Sequence, residues 1–202
     1  MRLDPAPVTP EDVELAGTIV IDALAGSVEA DWSLSAGGLS WSCWATLAHV
    51  CDCLISYTGQ LADRAETDYV PFVVRVKESA SPAGLLRVVR VAAGLLAAVC
   101  RSTPEDVRAY HPSGMADPEG FAAMGVAELL VHGNDVAHGL GVSFHVEPGL
   151  ASRVLARLFP RTAIADDDPW QVLLWAHGRI RLPGRVQANG WTWTGAPIGE
   201  RD

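Results

Sequence analysis

Three side chains able to bind a metal share one short stretch of this chain: Glu128, His132 and Asp135. At about 100° per residue on a helix, Glu128 and His132 at i, i+4 share a face, and Asp135, seven positions beyond Glu128, returns to the same stripe. Their neighbours Ala127, Leu129, Leu130, Val131, Val136 and Ala137 are apolar, which predicts that the stripe enters the interior. An uncompensated carboxylate there is costly, and a cation would offset it. The same spacing also suits an ordinary exposed helical pair, with Asp135 solvated.

A partner from elsewhere favours the metal reading. His49 lies on the polar stripe His49, Asp52, Cys53 and Ser56 of a second long apolar segment. A hydrogen-bonded core histidine is the plainer explanation for His49 taken alone. Cys51 and Cys53 have the wrong spacing for a zinc knuckle and point to opposite sides of a helix, so Cys51 is read as packing. Cys53, on the His49 stripe, can approach a metal. Trp41 and Trp44, within two turns of His49, can wall a pocket. His111, His138, His145 and His177 have no partner at ligand spacing and are read as surface or capping residues.

The elements that must position these groups are marked by a capping side chain followed by proline: Thr9-Pro10, Ser81-Pro82, Thr103-Pro104, Asp117-Pro118 and Asp168-Pro169. Helices are predicted over Pro10–Leu24, Ser42–Ala62, Pro82–Cys100 and Pro118–His138, with a short helical turn from Pro104. Further helices are predicted from Pro148 to Phe159 and from Pro169 to His177. The Pro82–Cys100 segment, apolar nearly all round, is expected in the bundle interior. Arg179–Leu182 and Trp191–Thr194 alternate like two short strands. The fold class expected is all-α: a four-helix bundle over residues 1–145, with a C-terminal extension over 146–202 packed on it as one unit and carrying the two-stranded element.

Composition narrows the partners. Of 202 residues, 49% are hydrophobic and 19% charged, a globular balance. Fifteen Lys and Arg against 24 Asp and Glu leave a net charge of -9 with no basic run, so neither nucleic acid nor an anionic membrane is expected as a partner. Four cysteines, too few and too clustered for a disulfide framework, and the lack of a signal-peptide pattern point to a cytoplasmic protein with reduced thiols, expected as a monomer or homodimer.

The segment Trp41–Val50 with His49, the segment Asp117–Ala137 with Glu128, His132 and Asp135, and the tail Asp168–Arg185 together resemble the DinB-like superfamily, and most closely the metal-binding N-terminal domain of mycothiol-dependent maleylpyruvate isomerase. The resemblance implies a four-helix bundle whose second and fourth helices hold a divalent metal on His49, Glu128 and His132. Zinc comes first, and nickel or iron is also compatible with two imidazoles and a carboxylate. Asp135 would orient a ligand histidine or serve packing. The implied activity is transfer of a low-molecular-weight thiol such as mycothiol to a small electrophilic substrate, or an isomerisation assisted by that thiol. A non-catalytic metal-binding bundle and a metal-dependent hydrolase are the alternatives.

Overall fold

Local hydrogen bonding explains where each helix begins in the computed structural model, which describes residues 6–164, 167–186 and 192–200. Among the described residues there are six α-helices: α1 Pro10–Leu24, α2 Cys43–Asp63, α3 Pro82–Ser102, α4 Pro118–Gly139, α5 Pro148–Leu158 and α6 Pro169–Ala176. Thr9 and Asp12 exchange side-chain-to-backbone bonds in a capping box at α1. Ser42, Ser81 and Asp117 accept from the backbone N–H of Ala45, Gly84 and Gly120, and Asp168 from that of Trp170. Thr103 does not start a helix. Its hydroxyl points backward and donates to the Val99 carbonyl at 2.7 Å, closing α3, and the residues after Pro104 form only a turn.

α1 and α2 each pack against both α3 and α4, while α5 lies on α4 and pairs with α6. The interior helix is α4, contrary to the expectation for the Pro82–Cys100 segment. α4 is buried without a break from Phe121 to Val131, because small residues let neighbours approach from every side. A Cβ added at Gly125 would lie 2.5 Å from Leu96 Cδ2 and 3.1 Å from Leu54 Cδ2, so glycine there lets the side chains of both neighbouring helices come close. α3 turns Arg87, Val91 and Leu95 to solvent instead. It is long and apolar enough to cross a membrane by length and composition, and it packs here against α1, α2 and α4.

No β-strand occurs among the described residues. The stretch 179–182 is irregular, as is 192–194, and Trp191 lies outside the described residues. The tail satisfies its backbone in another way. Arg157 of α5 donates to the carbonyls of Thr194, Gly195 and Ala196, while the Thr194 and Gly195 N–H groups reach the carbonyls of Leu158 and Ser113. One guanidinium and two outside carbonyls replace the ladder that alternation had suggested.

Candidate metal centre

The face where α2 meets α4 carries two i, i+4 pairs: His49 and Cys53 on α2, Glu128 and His132 on α4. Glu128 is 9% exposed, and its Oε2 is fully buried with no hydrogen-bond partner. Oε1 accepts a long hydrogen bond, 3.5 Å, from the Tyr57 hydroxyl, whose proton is held by burial and by Glu128 itself. The atoms facing Oε2 are imidazole nitrogens: His132 Nε2 at 3.4 Å and His49 Nε2 at 3.8 Å. Cys53 Sγ lies 3.4 Å from His49 Nε2. His49, Cys53 and Glu128 thus bring three potential ligand atoms within 4.8 Å of one another, and His132 joins through Glu128.

Three of these separations can be set against those around one ion, although His132 is not in the group whose ligand atoms all lie within 4.8 Å of one another. With metal–nitrogen and metal–oxygen bonds near 2.0–2.1 Å and metal–sulfur near 2.3 Å, the edges of a tetrahedron are roughly 3.3–3.6 Å. The observed 3.4, 3.4 and 3.8 Å fall at or just beyond that range. Burial lowers the pKa of His49 more than the nearby Glu128 raises it, which favours the neutral, metal-binding imidazole. Burial, reinforced by Glu128 and Asp52, pushes the Cys53 thiol pKa up, so that only a cation would draw off its proton.

The next layer fixes the ligands. His132 Nδ1 lies 3.1 Å from Asp135 Oδ2, and because a carboxylate only accepts, the ring donates there and turns Nε2 to Glu128. Asp135 is in turn held by Arg179 Nε at 3.0 and 3.1 Å, and Arg179 also donates to the His177 carbonyl. Asp135 therefore orients a histidine as well as packing. Arg179 went unnoticed in the sequence because it lies 44 residues from Asp135 with no spacing to link them. Its alternation with Arg181 even suggested a strand.

The remaining candidates divide. Trp41, 48% exposed, sets its ring edge-on to His49 at 5.0 Å between centroids and walls the solvent side. Trp44 donates from Nε1 to the Ala80 carbonyl at 3.0 Å, fastening the approach to α3. Asp52 is half-buried and acts on His49 and Cys53 through its charge.

Two histidines read as surface or capping residues are buried instead. His177 Nδ1 donates to the Leu173 carbonyl and Nε2 accepts from Trp193 Nε1, and burial pulls its pKa to about 3. His111 packs among Tyr57, Phe121 and Trp193, and burial pulls its pKa to about 4. His138 and His145 are exposed. A recess of about 20 Å³, lined by Glu128, His132, His177, Arg179 and Trp193 among others, adjoins the centre.

No protein-family model, no curated protein and no solved structure matches the chain.

Proposed function

We propose that this chain is a divalent-metal protein of the DinB-like four-helix type, with His49, Glu128 and His132 holding the ion and zinc preferred over nickel or iron. The observation that carries this reading is the orphaned Glu128 Oε2, buried between two imidazole nitrogens. A buried carboxylate oxygen without a partner costs roughly 1–3 kcal/mol or more, and such a group belongs to a site completed by a ligand. In this reading α1 to α4 form the bundle and the C-terminal extension serves it, since Arg179 anchors the Asp135 that orients His132.

The activity we propose is transfer of a low-molecular-weight thiol, mycothiol or one like it, to a small electrophilic substrate, or an isomerisation assisted by that thiol. A bound dication supplies acidity, lowering the pKa of a thiol so that the nucleophilic thiolate exists near neutral pH. The protein's own part is to present and shield. His49 has a side chain 34% exposed beside Glu128 at 10%, so the centre is deep on one side and open on the other. Trp41, on the open side, offers an apolar ring against which a small electrophile can rest.

The test is a thermal shift series on purified protein, chelated or reloaded with zinc, with and without mycothiol. Mycothiol is expected to raise the melting temperature only of the zinc-loaded protein. Zinc stabilisation with no response to any thiol would reject the thiol-transfer reading and leave a metal-binding bundle. A chelator-insensitive protein without bound metal would reject both.

A further inference from the structure

The other three cysteines are accounted for by packing. Cys43, Cys51 and Cys100 are buried in the core, and Cys43 Sγ faces the Val136 carbonyl at 3.7 Å. Cys53 is different. It sits one turn after His49 with Sγ 3.4 Å from Nε2, on the side where Glu128 Oε2 has no partner. We propose that the Cys53 thiolate is the fourth protein ligand of the resting centre, making the donor set two imidazoles, one carboxylate and one thiolate. This rests on the metal-binding reading given above.

Charge supports it independently of distance. A dication held by His49, His132 and Glu128 alone keeps one net positive charge beside the buried interior. Asp135, which the His132 ring reaches, is already paired with Arg179. A second anionic ligand brings the centre to neutrality, the arrangement that burial penalises least. Asp52 acts on His49 and Cys53 through its charge.

Two consequences follow. A thiolate among the donors favours zinc over iron or nickel. An external thiol must exchange for Cys53. The incoming thiol's proton then ends on the Cys53 sulfur, so the exchange changes neither the charge of the centre nor the number of bound protons. Cys53 would act as an internal cap that a small thiol displaces.

The experiment is cobalt substitution of the full chain and of Cys53→Ala, each with its cobalt content measured and no thiol added. The expected result is an intense sulfur-to-cobalt charge-transfer band in the unaltered protein. That band is lost in Cys53→Ala, which still retains cobalt, and kept in Cys51→Ala. Iodoacetamide labelling read by mass spectrometry gives a second measure: metal slows modification of Cys53. Cobalt bound without the band, and with Cys53 alkylated at the same rate as in the chelated protein, overturns the fourth ligand while leaving the His49, Glu128 and His132 site intact. Failure to bind cobalt at all overturns the underlying metal reading instead.

Discussion

Arg157 and Glu128 are both buried charged side chains, yet the fold treats them in opposite ways. Arg157, 1% exposed, meets Asp117 at 2.6 Å and the carbonyls of Thr194, Gly195 and Ala196, with Glu119 at 3.9 Å. Glu128, 9% exposed, has a long bond to Tyr57 on one oxygen and none on the other. The first node is held by partners within the chain and ties α5, the start of α4 and the tail together. The second gathers imidazole, carboxylate and thiol atoms from α2 and α4. A charge met by an opposite charge and by backbone carbonyls is a structural tie, and a buried carboxylate oxygen facing two imidazole nitrogens is an arrangement that a cation would complete.

The largest expected effect separates the two nodes by stability. Arg157→Met strands Asp117 and the tail carbonyls, and removing one partner of a buried pair typically destabilises by about 3–5 kcal/mol. Denaturant unfolding checks it, and a loss below about 1 kcal/mol would mean that the node is not structural. Glu128→Gln should do the reverse in chelated protein. With its buried oxygen already unpaired, the substitution is expected to leave stability unchanged or raise it by about 1 kcal/mol, while metal binding disappears.

A smaller effect reaches the centre through its support. Asp135→Asn and Arg179→Met free the His132 ring, and losses of this kind typically weaken metal affinity about 10–100-fold. Competition with a coloured chelator measures this, with stoichiometry expected to stay at about one metal per chain. An unchanged affinity would reduce Asp135 and Arg179 to packing.

The smallest effect concerns pH. His111 and His177 have folded pKa values near 4 and near 3, below the ordinary 6.5. Below pH 6.5 the unfolded chain takes up protons that the folded chain refuses, so stability present above that pH is lost progressively toward pH 4. Chelated protein should show this decline in its melting temperature, and His111→Gln should flatten it.

Local chemistry was legible in the sequence and long-range chemistry was not. Thr9, Ser81, Asp117 and Asp168 cap helices because their partners lie two or three residues away. Thr103 misled because a hydroxyl can equally turn back to the preceding carbonyl. Glu128 with His132, and His49 with Cys53, were visible as single-helix spacings that the α2–α4 packing then faced together. Arg179 was invisible because its partner Asp135 lies 44 residues away on α4, and His111 and His177 are buried by contacts that include the distant Trp193. The alternation at 179–182 resembled a strand, yet Arg179 is drawn inward by Asp135, and Arg157 answers the tail carbonyls.

The most direct test of the central claim is the unfolding free energy of the chain and of Glu128→Gln, each with and without zinc at about one hundred times the dissociation constant measured for the unaltered protein. Linkage then predicts a gain of about 2.7 kcal/mol for the unaltered protein and none for Glu128→Gln. An equal gain in both, or no gain in either, would show that the unpartnered Glu128 oxygen is not half of a cation site.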